Sequence, residues 1–215
     1  MVQKLIDGIH RFRAQDFGAY ETLFQDLARD GQDPIALFLA CSDARVMPTL
    51  LTMADPGELF QVRNVGNIVP APDLPAGVGA TGAAIEFAVE VLGVADIVIC
   101  GHSHCGAMKI LLEGPPAGCD LPHLERWLSH AAPVREHVEL YYAHLTDPGA
   151  RSNAAAEENV LQGVEHLRRY PGVARRLEAG DLRVHGWFLE IDTAQLFAYS
   201  PDVKQFLPLA GDRAR

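Results

Sequence analysis

Residues 97–107 read Ile-Val-Ile-Cys-Gly-His-Ser-His-Cys-Gly-Ala, and this stretch decides how the chain is organised. An apolar run ends at a glycine, and a histidine and a cysteine follow within five residues. His102 and Cys105 are separated by two residues, a spacing that lets an imidazole and a thiolate bind one metal ion from a tight turn. Because such a turn supplies only part of a metal site, the sequence must provide further ligands elsewhere.

A second apolar run, residues 37–40, ends on Cys41 and is followed by Asp43 and Arg45. In open α/β sheets, sites form beyond the carboxyl ends of the strands, and we expect Cys41 and His102 just past two such ends. Two thiolates and one imidazole favour zinc over magnesium or calcium. Three protein ligands would leave one coordination position open, as a catalytic zinc requires.

The residues that follow Cys41 suggest a reactive centre. Arg45 can hold the carboxylate of Asp43 through a bidentate pair. Held in this way, Asp43 can accept a proton from metal-bound water; released, it could itself take the fourth position. Taken alone, this pair would most often be a surface ion pair, a strand cysteine such as Cys100 usually belongs to the core, and Cys119 lies in a loop. The joint occurrence of both motifs after apolar strands favours a metal centre.

Length and composition indicate the class of protein. The 215 residues suit a single domain with a full core, and 48% hydrophobic residues indicate a folded chain. A net charge of −10 argues against nucleic acid or an anionic membrane as a partner. No apolar stretch has the length of a membrane span, and the N-terminus lacks the pattern of a secretion signal. Cysteines at strand ends favour metal thiolates over disulfides, so we expect a reducing compartment, most simply the cytoplasm.

Apolar strands alternate with helical periodicity, which predicts an α/β fold with a mainly parallel central sheet flanked by helices. Residues 1–30 show two amphipathic patterns, expected as helices that pack on their own domain or form a dimerisation arm. Strands are predicted at 35–40, 59–63, 96–100, 184–191 and 195–199. Helices are predicted at 47–53, from the end of a Pro-rich loop (69–76) to about 92, from the turn at 102 to 112, and at 121–130, 134–144 and 154–169.

Residues 77–82, Gly-Val-Gly-Ala-Thr-Gly, fit the Gly-x-Gly-x-x-Gly dinucleotide fingerprint and open a predicted helix. That fingerprint should follow a strand directly, and the next strand should end near an acidic residue. Here a Pro-rich loop intervenes and the next strand ends in Cys100. We therefore interpret these glycines as flexibility before a helix.

Further motifs carry a family resemblance beyond the two metal stretches. They are Cys41-Ser42-Asp43-Ala44-Arg45-Val46, Pro56-Gly57-Glu58-Leu59-Phe60-Gln61-Val62-Arg63-Asn64, Gly82-Ala83-Ala84-Ile85-Glu86, Leu92-Gly93-Val94 and Trp187. With them the chain resembles the β-class carbonic anhydrases over nearly its whole length. The resemblance implies that Cys41, His102 and Cys105 bind zinc. It also implies a catalytic dyad of Asp43 and Arg45 and the reversible hydration of carbon dioxide to bicarbonate and a proton.

The chain is similar to the plant-like branch of that family in its substrate-pocket positions, which are Gln32, Phe60 and Val65. Apolar walls suit a small apolar substrate, and an amide can polarise one of its oxygens. In that branch Gln32 and Phe60 would come from the neighbouring subunit. The resemblance therefore implies a homodimer or a higher even oligomer, with residues 1–30 as the exchanged arm.

The chain departs from the family in two places. The branch regulated by bicarbonate uses a tryptophan, an arginine and a tyrosine in an effector pocket, and those positions read Phe38, Arg63 and Leu189. Since only the arginine remains, we predict that the aspartate of the dyad stays paired with its arginine and off the zinc. Phe87 stands where many members have a tyrosine, which removes one hydroxyl near the site.

Two other functions stay open from the sequence. A hydrolase of carbonyl sulfide or carbon disulfide could use the same scaffold, because those linear molecules fit the same pocket. A structural zinc module that mediates protein contacts would instead need a closed site with four ligands.

Overall fold

A computed structural model describes residues 2–73 and 79–209, and a six-stranded mixed sheet lies at its centre. The strands, in chain order, are β1 Ala36–Cys41, β2 Leu59–Asn64, β3 Asp96–His102, β4 Arg183–Glu190, β5 Gln195–Ser200 and β6 Gln205–Pro208. Their order in the sheet is β2-β1-β3-β4-β5-β6. The first three pairings are parallel and the last two are antiparallel, which confirms the predicted α/β class.

The described residues also form helices, most of which pack around this sheet. They are α1 Val2–Arg11, α2 Phe17–Asp30, α3 Pro48–Thr52, α4 Ala80–Glu86, α5 Gly106–Glu113, α6 Pro122–Leu128, α7 Ala132–Tyr141, α8 Pro148–Arg168 and α9 Pro171–Ala179. Short π-helical stretches join α1 to α2 (Phe12–Asp16) and extend α4 (Phe87–Val91). Among the residues that the structure describes, 3₁₀ turns lie at Val65–Asn67 and Ser129–Ala131. Within the described ranges, no helix combines the length and the apolar character needed to cross a membrane.

Strand β1 explains why the core lies where it does, since all six of its residues are buried. Leu37 and Leu39 point toward one face of the sheet, where they pack with residues of α4, α8 and α9. Phe38 and Ala40 point toward the other face, where they pack with Leu51 of α3. A strand covered on both faces reads as a continuous apolar run, and this is why the sequence pattern identified it.

The long helix α8 packs closely on β3 and β4 because glycine stands at the contact. A Cβ at Gly101 would lie 2.6 Å from Cγ2 of Val160 and 3.1 Å from the carbonyl oxygen of Ala156. Gly101 therefore allows β3 to continue through His102 directly beneath the helix. Local signals start α8 earlier than predicted, because Pro148 is its first residue and Asp147 caps it by accepting from the Ala150 amide.

The N-terminal region forms one helical segment with a π-helical interruption, where two separate helices were predicted. None of residues 2–30 is buried. The segment approaches the rest of the chain at its C-terminal end, where Leu27 packs over Gly57. Its first turns carry an apolar stripe that is open to solvent, with Leu5 68% and Ile9 60% exposed. A stripe of this kind is typical of a helix that packs against another surface.

Two elements were not predicted, namely α9 and β6. Helix α9 has ordinary boundary signals, since Pro171 opens it and Gly180 closes it in a left-handed conformation. Strand β6 is short and mostly exposed, so it lacks the apolar pattern that identifies inner strands. The fingerprint-like glycines lie partly outside the described residues; within them, α4 begins after Gly79. The end of the predicted Pro-rich loop, residues 74–76, also lies outside.

Candidate metal centre

Three buried side chains meet at the carboxyl edge of the sheet. Cys41 is the last residue of β1 and His102 the last residue of β3, so both belong to their strands rather than following them as predicted. Cys105 is the N-cap of α5, as the turn spacing indicated. Their sulfur and ring-nitrogen atoms all lie within 4.8 Å of one another. Because β1 and β3 are adjacent parallel strands, their carboxyl ends bring distant ligands together.

The backbone sets the tautomer of His102. Its Nδ1 lies 2.8 Å from the carbonyl oxygen of Ser103, which can only accept, so the proton is on Nδ1. The other nitrogen, Nε2, is buried and has no hydrogen-bond partner. Ser103 is fixed in turn, because its amide donates to the carbonyl of Leu189 and its hydroxyl accepts from the amide of Ile191. A buried, unpartnered imidazole lone pair is what a metal ligand requires.

The two cysteines are chemically distinct from the other thiols. Hydrogen bonding from the Cys105 thiol, with smaller contributions that include the Asp43 and Gly66 amides, lowers the pKa of Cys41 to about 4. The same interaction raises the pKa of Cys105. A thiol whose pKa is lowered in this way is readily available as a thiolate ligand for a metal ion. In contrast, burial alone raises the pKa of Cys100 to about 12, which agrees with its assignment to the core.

These donors fit a soft-to-borderline divalent metal. Two sulfurs and one imidazole nitrogen converge, and the His102 Nε2 lone pair has no other partner. Within the described residues, this group has three members, whereas a closed structural zinc site would need four ligands. The fold and the donor set together indicate an α/β metal-binding protein, and three protein donors would leave one position of a tetrahedral metal to a non-protein ligand.

Asp43 and Arg45 form a bidentate ion pair beside the three ligands. Arg45 Nε donates to Asp43 Oδ1 at 2.9 Å, and Nη2 donates to Oδ2 at 2.7 Å. The Arg45 amide also donates to Oδ1, at 2.9 Å. The Arg45 side chain holds the pKa of the Asp43 carboxyl well below its usual range, and the hydrogen bond from the Arg45 amide adds to this effect. The carboxylate is therefore ionised and fixed in orientation.

Several residues that sequence reasoning did not assign to the centre hold its loops in place. Arg63 donates to the carbonyl oxygens of Cys41, at 3.1 Å, and Asp43, at 2.6 Å, and so fixes the chain after β1. Its place directly across from Ala40 in the β1–β2 register could have been read from the strand alignment. His104 has a left-handed backbone, with φ of 55°, and its amide donates to Asn153 Oδ1 at 2.9 Å.

The residues predicted for the substrate pocket lie apart within one chain. Val65 directly follows β2 and therefore lies at the same edge of the sheet as Cys41. Gln32 precedes β1, so roughly 20 Å of strand separates it from that edge. Phe60 pairs in register with Leu37, near the amino end of the strands, and packs on Phe87 with ring centroids 5.8 Å apart. A single chain thus places only Val65 near the metal ligands.

Comparisons with known proteins agree with this geometry. The family model described as carbonic anhydrase matches residues 36–196. A carbonic anhydrase of Pseudomonas aeruginosa is 44% identical over 214 residues, covering 97% of this chain and 92% of that protein. The solved β-carbonic anhydrase CcaA is 40% identical with a TM-score of 0.91, over 96% of this chain and 98% of that one.

The chain belongs to the carbonic anhydrase family, in its β class. Members of this family are carbonate dehydratases, which are carbon–oxygen lyases. A second solved relative, one of two tetrameric β-carbonic anhydrases from Sordaria macrospora, is 30% identical with a TM-score of 0.81, over 92% of this chain and 95% of that one. The alternative of a carbonyl sulfide or carbon disulfide hydrolase finds no support in these comparisons, and the assignment to the plant-like branch stays a prediction.

Proposed function

We propose that the protein is a zinc-dependent enzyme for the reversible hydration of carbon dioxide to bicarbonate and a proton. The observation that carries the proposal is the buried group of Cys41, His102 and Cys105 with an ionised carboxylate fixed beside it. Zinc suits two thiolates and one imidazole better than harder cations do. Bound there, zinc would supply a Lewis acid that activates water at neutral pH.

The side chains near the metal site would take the proton from the reacting water and keep the proton acceptor in position. Asp43 offers a carboxylate oxygen that accepts a proton from the reacting water, and Arg45 keeps that carboxylate ionised and oriented. Because the pKa of Asp43 is low, the carboxylate orients the water and does not retain its proton, which passes to buffer in the solvent. Arg63 holds the backbone of Asp43, so the carboxylate keeps its position while the proton moves.

We infer that the substrate pocket is completed by a second copy of the chain. Val65 would come from the same chain, and Gln32 and Phe60 from the other copy, because strand β1 separates them from the metal ligands within one chain. The apolar stripe on residues 2–30 supports this arrangement, since it has no cover in the single chain. A tetrameric relative is consistent with a homodimer or a higher even oligomer.

We further propose that the protein works in the cytoplasm. All four cysteines are free, and at least two of them serve the metal centre as thiolates. A reducing compartment keeps such thiolates available for a metal ion.

The decisive experiment joins metal analysis to stopped-flow carbon dioxide hydration. We expect about one zinc per chain, and activity that is lost on chelation and regained with zinc. Asp43→Asn should keep its zinc and lose roughly 100-fold or more in kcat, because a general acid–base group contributes about 10²–10⁴-fold. Asp202→Asn, in an exposed turn, serves as the matched control and should keep full activity. A zinc-loaded protein with no hydration activity would overturn the proposal, and full activity in Asp43→Asn would overturn the role of the dyad.

A further inference from the structure

One peptide group connects a tryptophan side chain to a sulfur of the metal centre. The amide of Gly66 donates to Sγ of Cys41 at 3.3 Å. The carbonyl of the same peptide belongs to Val65, and it accepts from Nε1 of Trp127 at 2.7 Å. Two hydrogen bonds in series therefore run from α6, through the Val65–Gly66 peptide, to the Cys41 sulfur.

The turn that carries this peptide has little freedom to rotate away. Gly66 has φ of 77°, a left-handed value that favours glycine. A Cβ there would lie 3.0 Å from Cβ of Ala107 and 3.1 Å from Cε of Met108, so α5 packs closely against the turn. On the far side, the buried Asn159 donates through Nδ2 to the carbonyl of Gly66 at 2.9 Å. The amide is thus held toward the sulfur from two sides.

Hydrogen bonds in series strengthen one another. A donor on the carbonyl of a peptide polarises the group, which makes its N–H a better donor by about 10–30% in condensed-phase estimates. A stronger N–H···S bond withdraws electron density from the sulfur and leaves a bound metal more electron-poor. This matters in a centre with two thiolates, because their negative charge weakens the Lewis acidity of the metal.

We propose that Trp127 is a positioning residue that tunes the Cys41 ligand through the Val65–Gly66 peptide. The inference rests on the proposed metal function, but it concerns the electronic character of the ligand rather than turnover alone. Trp127 also packs edge-on against His130, with ring centroids 5.6 Å apart, and it lines a cavity of about 270 Å³ beside Val65. The ring and its N–H therefore need separate tests.

Trp127→Phe keeps an aromatic ring and removes the indole donor. In the cobalt(II)-substituted protein, we expect the sulfur-to-cobalt charge-transfer band to move to lower energy, because the sulfur becomes more electron-rich. In the zinc protein, we expect kcat at neutral pH to fall by about 10-fold with KM unchanged, since residues that support metal ligands typically contribute about 10–100-fold. The activity–pH profile should move to higher pH.

Two controls separate the hydrogen bond from packing. Trp187→Phe makes the same change on the other face of the sheet, where Trp187 packs on Phe38, and it should leave the band and the pH profile unchanged. Replacement of Trp127 by 3-benzothienylalanine keeps the shape of the indole without its N–H, and it should reproduce the Trp127→Phe shift even if the phenylalanine variant folds poorly. An unmoved charge-transfer band in the benzothienyl protein would overturn the proposal. This readout needs no turnover, so it is independent of whether the enzyme hydrates carbon dioxide.

Discussion

The carboxyl edge of the sheet and the N-terminal helical segment differ in how much of their apolar surface is buried within one chain. At the carboxyl edge, all three proposed metal ligands are buried, and the turns next to them are hydrogen-bonded to α6, α8 and β4. In residues 2–30 no residue is buried, and the apolar stripe of the first turns is open. We infer from this difference that one chain completes the proposed metal site, whereas the proposed substrate pocket needs a second copy of the chain.

We expect the largest effect from a change that removes one of the proposed metal ligands. Cys105→Ala removes one of three ligands and should weaken zinc binding by about 1,000-fold or more, with hydration lost. Zinc competition with a fluorescent chelator measures the change. Cys119→Ala is the matched control, since Cys119 is an exposed, free cysteine outside the metal group. If Cys105→Ala bound zinc as tightly as Cys119→Ala does, the ligand assignment would be wrong.

A second change disrupts the apolar stripe of the N-terminal helical segment and should leave the metal in place. The double variant Leu5→Glu and Ile9→Glu puts two charges into the exposed stripe. Burial of two such side chains against another chain is worth about 3–6 kcal/mol, so the dissociation constant of the oligomer should rise at least about 100-fold. Size-exclusion chromatography with light scattering should show single chains, with zinc content unchanged and hydration reduced.

The control for this experiment places the same charges on apolar residues elsewhere. Leu140→Glu with Val203→Glu changes two side chains that are 69% and 55% exposed in α7 and in the turn before β6. We expect this variant to keep both its oligomeric state and its activity. Retained assembly and activity in the Leu5 and Ile9 variant would show that the segment does not complete the site.

The smallest effect is expected at the amino edge of the sheet, outside both the carboxyl edge and the N-terminal helical segment. Arg183 donates to Asp96 at 2.8 and 2.6 Å, and His185 lies 2.7 Å from it. Hydrogen bonding from Arg183, followed by that from His185, lowers the pKa of Asp96 below its ordinary value. A lowered folded-state pKa stabilises the fold above the unfolded value of about 3.9, and that stability is lost as the pH falls through the folded value.

Asp96→Asn should therefore lower the melting temperature by about 2–4 °C at pH 7 and by less as the pH falls below about 4. Differential scanning calorimetry across this range measures the effect, and the zinc content should not change. An equal loss of stability at pH 7 and at pH 3 would show that the carboxylate charge is not the cause.

The inner strands were predicted correctly because they leave a local signal, and the proposed metal ligands were selected by their positions next to these strands. Strand β1 and residues 97–100 of β3 are apolar runs, Cys41 and His102 end these two strands, and Cys105 caps the helix that follows β3. The strand-end placement was wrong by one position for Cys41 and by two for His102, because Cys41 still pairs with Asn64 of β2 and His102 still pairs with Leu189 of β4. The ends of helices and strands are uncertain by one or two residues in any assignment.

Features fixed by distant contacts could not be predicted. The hydrogen bonds from Trp127 to Val65 and from Asn159 to Gly66 join residues 62 and 93 positions apart, and no periodicity marks them. The same is true of Asn153, which holds the turn at His104. The helical interruption at Phe12–Asp16 also has no proline or glycine to announce it.

Gly101, which directly precedes His102, lies where strand β3 and helix α8 leave no space for a side chain. A methyl group at this position would lie 2.6 Å from Val160, so helix α8 would have to retreat from β3. That helix carries both Asn153 and Asn159, the anchors of the two turns that flank the metal ligands. Because Gly101 has no side chain, α8 can lie close to β3. The position of α8 in turn aligns both turns next to the proposed metal ligands.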